Sequence, residues 1–299
     1  MKRLKVGVIG CGVMGGYHLK QYRNIPEVEA IGVSDIDPSK APKDIKFFRD
    51  LKDLLDIIDA VSITTPTFTH FEIGMHAIEA GCSVMIEKPI ALKTEQAEKL
   101  IRRAKAKSIV LAVGHIERFN PAYMAITKKL GKQKPDIIDI KRFSPYPERI
   151  TDASCVIDMM IHDIDLSRKL AGSEIKYVNA TGEKVRSDKL DRALAVLIFK
   201  NGVIANIEAN RLHEGKVRKM TVVRGEIAYE ADMLNKTARE IKSGESKAIK
   251  VEQFDQLNFE LNDFVSAALK GKKPAVTGED GLAALEIAQE IEKAAIGQC

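Results

Sequence analysis

An α/β Rossmann domain with a doubly wound parallel sheet, followed by an α+β domain with a large, mostly antiparallel sheet, is the architecture this sequence predicts. Three observations carry it. A Gly10-x-Gly12-x-x-Gly15 loop follows directly on an apolar run and opens a helical stretch. Over the first 115 or so residues, short apolar runs alternate with amphipathic stretches, the βαβα order of a parallel sheet. In the second half, strand-like runs are joined instead by short turns containing Asn-Gly and Arg-Gly, the mark of antiparallel hairpins.

Taken in order, the apolar runs Leu4–Ile9, Ile31–Ser34, Ala60–Thr64, Ser83–Ile86 and Ile109–Val113 lack polar alternation, as strands buried on both faces do. Helical patterns over Phe68–Ala80 and Thr94–Lys107 lie among them, the latter opening on Thr94, Glu95 and Gln96 with cap-like chemistry. Between Asp37 and Phe47, Pro38 and Pro42 leave space for about one helical turn. After a helix from about Asn120 to Leu130 the pattern changes, and Pro135, Pro145 and Pro147 mark extended chain. Asp152–Ala171 reads as a helix that Gly172 ends. Arg192–Phe199 and Val203–Asn210 flank Lys200-Asn201-Gly202, and Val217–Val223 and Ile227–Glu230 flank Arg224-Gly225-Glu226, which gives two hairpins. Helices over Phe254–Leu269 and Gly281–Ala295 close the chain. The expected division is residues 1–118 as the dinucleotide-binding domain and 119–299 as the substrate and oligomerisation domain.

Composition narrows the function classes. With 45% hydrophobic and 30% charged residues in 299, the chain has the balance of an ordinary globular protein with ample core. Its formal charge of +5 is mild and its basic residues are interspersed, so a nucleic-acid partner is not expected. Cys11, Cys82, Cys155 and Cys299 show no CxxC spacing, so neither a zinc site nor a disulfide framework is indicated. No run reaches the roughly 18 apolar residues of a membrane span, and the N-terminal run lacks the length of a secretion signal. A cytoplasmic enzyme is the expectation, assembled as a dimer or tetramer through the second domain's sheet.

The glycine loop carries the first chemistry. Gly10 permits the tight turn, Gly12 lets backbone approach a pyrophosphate, and Gly15 lets the helix pack on the sheet. Val13 and Met14 lie between them, where the helix N-terminus offers amide groups to phosphate. Asp35 stands 20 residues beyond Gly15 at the end of the second strand, placed to hold a ribose 2′-hydroxyl and to repel a 2′-phosphate. NAD is the expected cofactor, and nearby Lys40 leaves NADP open.

Two further clusters invite chemistry. Glu87-Lys88-Pro89 follows the fourth strand, and ligands bind outside the carboxyl ends of such strands. Lysine there can polarise a hydroxyl or carbonyl, although composition alone favours a plain surface lysine. Asp158 and His162 share a helical face by their i, i+4 spacing, amid Ile157, Ile161, Asp163, Ile164 and Asp165. Acids in a buried helix are costly unless paired or functional. The pair reads either as a base with its orienting partner or as a hydrogen bond that only fixes the helix. A metal site is not expected, because no further ligands accompany the spacing.

Together these residues, with Thr65-Pro66, His70 and Gly114-His115, resemble the glucose–fructose oxidoreductase/inositol dehydrogenase (Gfo/Idh/MocA) family over nearly the whole chain. Gly114–Pro121, Pro145–Arg149, Asn210–His213 and Lys216–Arg218 resemble its branch that oxidises UDP-N-acetylglucosamine-type sugars at C3. A full helix usual in the family is missing between Asp37 and Phe47. The resemblance implies Lys88, His162 and Asp158 as catalytic residues, with Thr65, Pro66, His70, Glu87 and again Lys88 at the cofactor. A hydride would pass from a sugar carbon to nicotinamide while the hydroxyl proton passes to His162 or Lys88. An unperturbed lysine, with a pKa of about 10.4, is a poor base at neutral pH, whereas histidine needs no shift. His162 is therefore the favoured base and Lys88 the polarising group, with Asp158 on the histidine or the substrate. Arg118, Asn120, Arg149 and Arg211 are candidate substrate contacts, and Arg218 joins the arginines suited to a pyrophosphate. Cys11 and Cys155 read as packing residues. Two alternatives accompany this reading: a dehydrogenase of a free sugar or inositol, and a sensor of the same fold that binds NAD(P) without catalysis.

Overall fold

The apolar runs of the N-terminal half form a five-stranded parallel sheet in the computed structural model, which describes residues 3–148 and 153–296. Its strands are β1 (Leu4–Ile9), β2 (Val28–Ser34), β3 (Ala60–Ile63), β4 (Ser83–Glu87) and β5 (Leu111–Gly114), in the order β2-β1-β3-β4-β5. The order reverses between β1 and β3, and the crevice at the carboxyl ends of such strands is where ligands bind. β2 begins earlier than its apolar run because it is an edge strand, and edge position leaves Glu29 exposed within it. Phe47 bridges to Val33 and covers part of that edge.

Helices α1 (Val13–Tyr22), α2 (Leu51–Leu55), α3 (Thr67–Glu79) and α4 (Thr94–Ala106) connect these strands. In α4 the buried residues Ala97, Leu100, Ile101 and Ala104 follow the spacing of one helical stripe. The short stretch after Asp37 holds a single 3₁₀ turn over Pro38–Lys40, capped by the Asp37 carboxylate, as the two prolines require.

The division of the chain corrects the expected boundaries. One compact unit comprises residues 1–116 together with 255–283, and the other comprises 117–254 together with 284–299. The second crossing has a packing cause. Helix α7 (Gln256–Lys270) buries Leu257, Leu261, Phe264 and Val265 in the same cluster as Val6, Val8, Leu19 and Tyr22. Helix α8 (Gly278–Ile296) starts ahead of the expected Gly281. Thr277 and Asp280 cap it reciprocally, the Asp280 N–H reaching Thr277 Oγ1 at 3.2 Å and the Thr277 N–H reaching the Asp280 carboxylate at 3.0 Å.

The second unit is built on an eight-stranded sheet. Its strands are β6 (Ile137–Phe143), β7 (Ile175–Glu183), β8 (Arg192–Phe199), β9 (Ile204–Asn210), β10 (Val217–Arg224), β11 (Ile227–Asp232), β12 (Thr237–Lys242) and β13 (Glu245–Ile249). The order is β13-β12-β11-β10-β6-β9-β8-β7, and among the described residues only β6 and β9 pair in parallel. Both expected hairpins are present, β8–β9 and β10–β11. Helices α5 (Pro121–Leu130) and α6 (Ile161–Ala171) cover one face. Ile126, Met160 and Ile164 pack there with Ile138, Ile140, Leu197, Ile207 and Val222. The helix expected from Asp152 differs in form: a π-helical turn over Val156–Met160 leads into α6, and Ser154 accepts the N–H groups of Val156 and Ile157. Asp152 itself lies outside the described residues. On the opposite sheet face, Tyr177, Ile198, Ile204, Ile137, Val223, Ala228 and Ile241 are successive cross-strand partners, forming one apolar row. Among the described residues, no helix is long and apolar enough to cross a membrane.

Candidate active site

The three glycines of the loop after β1 do three different things. Gly10 has φ +93°, and a Cβ there would meet Thr65 N and Thr64 C at 2.9 Å. A Cβ on Gly15 would lie 1.8 Å from the Gly10 carbonyl oxygen, so this glycine sets how closely α1 approaches β1. A Cβ on Gly12 would meet nothing within 4 Å. Gly12 is the N-cap of α1, which has no side-chain cap and no acid in its first turn, so the positive end of the helix dipole is left to an anion. Val13 is exposed and Met14 half-buried beside this space.

Asp35 closes the other side of the loop. Its carboxylate accepts the Cys11 N–H at 2.6 Å and the Asp37 N–H at 2.9 Å. A carboxylate has about four acceptor positions, so a ribose hydroxyl still finds one. Open space at Gly12, an uncapped helix start and an oriented acid suit a dinucleotide. Burial and Asp35 push the Cys11 thiol up to about 11, so it stays a neutral packing residue as expected. Asp35→Ala should raise affinity for NADP relative to NAD, since a carboxylate repels the 2′-phosphate. Calorimetry with both dinucleotides checks this, and a wild type that already prefers NADP would overturn the assignment.

Two motifs stand at the ends of β3 and β4. Thr64 donates its hydroxyl to the Gly10 carbonyl at 2.8 Å, and the Thr69 hydroxyl donates to Thr65 Oγ1 at 2.7 Å, firming the turn at Thr65 and exposed Pro66. His70 was expected to line the cofactor; it is instead buried beneath this turn, its ring nitrogens 2.8 Å from the Thr65 carbonyl and 2.9 Å from the Pro89 carbonyl. Burial holds its imidazole below the usual histidine range despite these acceptors and Glu87. Glu87 likewise turns to the protein, accepting His18 Nε2–H at 2.9 Å. Burial opposes its charge, but the hydrogen bond from His18 and the charge of Lys88 hold its carboxyl below the usual carboxylate range. Lys88 is half-buried at the end of β4, joined to Pro89 by a cis peptide.

In the second unit, the acids of α6 divide into two kinds. Asp163 and Asp165 are fully buried and each takes a two-pronged arginine. Arg142 reaches Asp163 at 2.8 and 2.7 Å, and Arg118 reaches Asp165 at 2.6 and 2.5 Å. Arg142 also holds Glu117 at 3.0 Å, which Arg218 meets at 3.1 Å. Burial pushes the Asp163 carboxyl up against the pull of Arg142, whereas for Glu117 the charges of Arg142 and Arg218 outweigh burial. Asp158, in the π turn, and His162, in the first turn of α6, are only half-buried. Both therefore keep part of their surface open to solvent, unlike Asp163 and Asp165.

The expected substrate contacts need correction. Arg118 belongs to the ion pair with Asp165. Asn120 caps α5 through the Ala122 N–H and donates to the Met233 carbonyl at 2.9 Å. Arg211 is fully buried, with Asp191 at 2.9 Å, the Ala153 carbonyl at 2.7 Å and Ser187 Oγ at 2.9 Å. These groups are committed to the fold. Arg149 lies outside the described residues. Arg218 keeps 38% of its side chain exposed. Sequence reasoning passed over Arg142, although its parity with inward Ile138 and Ile140 on β6 marks it as a buried cation in need of an acid. Among the described residues, no group of three or more His, Cys, Asp and Glu is placed to hold a metal ion.

A Rossmann sheet with a glycine loop and an oriented acid after β2, followed by a large mixed sheet behind a helix bearing Asp158 and His162, is the build of an NAD-dependent oxidoreductase. The chain belongs to the Gfo/Idh/MocA family: residues 4–115 match its oxidoreductase, NAD-binding Rossmann domain and residues 132–228 its C-terminal domain. It is 32% identical to the UDP-N-acetylglucosamine 3-dehydrogenase of Acidithiobacillus ferrooxidans, over 98% of each chain. A solved structure of the enzyme of that name and organism superposes with a TM-score of 0.94 at 33% identity, covering 99% of both chains. The myo-inositol 2-dehydrogenase of Thermotoga maritima is 25% identical, over 97% of this chain and 96% of that one.

Proposed function

We propose that this protein oxidises the C3 hydroxyl of a UDP-N-acetylglucosamine-type nucleotide sugar to a ketone. The observation that carries the proposal is the end-to-end similarity to a relative with that activity, joined to a chain that retains both Lys88 and His162. NAD supplies the hydride acceptor. Lys88 orients and polarises the reacting oxygen, His162 takes its proton, and Asp158 holds the histidine or a neighbouring hydroxyl. Glycines 10, 12 and 15, with Val13, Met14, Thr65 and Pro66, hold the dinucleotide, and Asp35 its ribose. Arg218, anchored by Glu117, suits the diphosphate of the substrate. The free thiols Cys11, Cys82 and Cys155 fit a reducing, cytoplasmic setting. The test is a screen of NAD-dependent absorbance change across nucleotide sugars and free polyols. Turnover of UDP-N-acetylglucosamine is expected; turnover of free inositols alone would favour the other branch.

We also propose that two copies meet through the outer face of the eight-stranded sheet. The apolar row across that face includes Tyr177 at 59% exposure and Ile204 at 37%, and a contiguous apolar patch of this kind marks an interaction surface. Light scattering should show a dimer or larger assembly, and Ile204→Lys, which puts a charge in the row, should shift it toward monomer. A wild type that is monomeric at micromolar concentration would remove this proposal.

A further inference from the structure

A buried histidine bears on the residue on each side of Lys88. Glu87, before it, lies across Gly114 of the neighbouring strand β5, where a Cβ would sit 2.9 Å from Glu87 Oε1. His18 of α1, fully buried, reaches that carboxylate at 2.9 Å through Nε2 and Ser62 Oγ at 3.0 Å through Nδ1, and Ser62 meets the Tyr22 hydroxyl at 2.6 Å. One assignment of protons satisfies every member: Tyr22 donates to Ser62, Ser62 to Nδ1, and Nε2–H to the carboxylate. Pro89, after Lys88, presents its carbonyl to His70 Nδ1 on α3. The other nitrogen of His70 lies 2.8 Å from the Thr65 carbonyl, so the ring is wedged between the turn after β3 and the turn after β4 and its N–H bonds one of the two carbonyls.

We propose that His18 and His70 are positioning residues for Lys88, acting through Glu87 and Pro89 to fix the lysine relative to the two helices that open on the glycine loop and the Thr65-Pro66 turn. A self-contained packing role accounts less well for the arrangement. A carboxylate largely withdrawn from solvent at a strand end is costly, and apolar side chains of similar volume often serve stability as well or better. Here the cost is borne immediately beside Lys88, whose charge acts on Glu87. Two separate helices also converge on the flanks of this one residue. With both flanks held, the lysine's backbone has little freedom, and a misplacement of about 1 Å in a reacting group can cost about a hundredfold in rate.

The kinetic part of this inference rests on the dehydrogenase reading; the structural part does not. The variants are His18→Ala and His70→Ala, with His18→Gln and His70→Asn as conservative replacements that keep a donor toward Glu87 or Pro89. Gly114→Ala adds a Cβ against the Glu87 carboxylate without touching either histidine, and serves if an alanine variant does not fold. In full-length protein, hydrogen exchange in the peptide containing Lys88 should accelerate in the alanine variants and in Gly114→Ala, with β2 peptides unchanged. With UDP-N-acetylglucosamine and NAD as probes, kcat should fall roughly 10- to 100-fold with KM and NAD affinity within about twofold, and the amide variants should recover part of the loss. Unchanged exchange around Lys88 would overturn the proposal whatever the substrate. So would a loss of NAD affinity and melting temperature equal to the loss in kcat, because that is the pattern of general loosening. Accelerated exchange around Lys88 in a protein that does not turn over any sugar would support the clamp and overturn only the dehydrogenase reading.

Discussion

Lys88→Ala and His162→Ala should each lower turnover by about two to four orders of magnitude, the range for a lost polarising or acid–base group. NAD should still bind both variants, because the cradle at Gly12 and Asp35 is untouched. The acids flanking His162, Asp163 and Asp165, keep their arginines Arg142 and Arg118, so α6 retains its anchors when the imidazole is removed. In the proposed mechanism lysine and histidine act on one oxygen, so the double variant should be little worse than the worse single one. A base must be deprotonated to work, so the wild-type rate should fall toward acid pH. That fall should vanish in His162→Ala if histidine is the base. If it vanishes only in Lys88→Ala, the two roles are exchanged. Near-normal rates in both would place proton transfer elsewhere, whereas a wild type that binds NAD but turns over no sugar would favour a sensor. Steady-state kinetics with pH variation and calorimetric NAD binding distinguish these outcomes.

What the sequence made legible followed from local rules. Unalternating apolar runs gave the parallel strands, Asn201-Gly202 and Gly225 the two hairpins, and Pro38 with Pro42 the single turn after β2. The boundary of the first unit was not legible, because the apolar stripe of α7 says that it packs but not on what; only folding brings Leu261 and Phe264 to Leu19 and Tyr22. The chemistry divided along the same line. The turn at Gly10, the close approach at Gly15 and the placement of Asp35 beside the loop were readable because they depend on backbone shape and a fixed offset. The arginines were not, since guanidinium suits phosphate and buried carboxylate equally. Arg118 and Arg211 went to Asp165 and Asp191, partners 47 and 20 residues away in the chain. His70 failed for a related reason: a histidine near a cofactor turn is as able to brace it from below as to touch what lies above.

The glycine loop should separate under substitution into a binding residue and a folding residue. Gly12→Val should fold. Its backbone lies at φ −69° and ψ −165°, an extended conformation open to any residue, and a Cβ there points into empty space. That space is where the pyrophosphate must approach the backbone, so NAD affinity should drop by at least about a hundredfold, with two added methyl groups in the way of the phosphates. Gly15→Ala should instead act on the fold. Its Cβ would sit 1.8 Å from the Gly10 carbonyl oxygen, a distance no rotamer can relieve because the Cβ is fixed by its own backbone and the oxygen is main chain. Helix α1 would have to lift from β1, loosening Leu19, Tyr22 and His18, all buried beneath it. Overpacking a core costs about 1–3 kcal/mol where side chains can yield; here they cannot, so the loss should reach the top of that range or beyond. At about 2–4 °C per kcal/mol for a domain of this size, the melting temperature should fall by roughly 10 °C or more. Thermal melts beside calorimetric NAD titrations read both effects. A Gly15→Ala protein with wild-type melting and NAD affinity would contradict the close approach of α1 to β1, and a Gly12→Val protein that still binds NAD normally would remove the loop from the cofactor site.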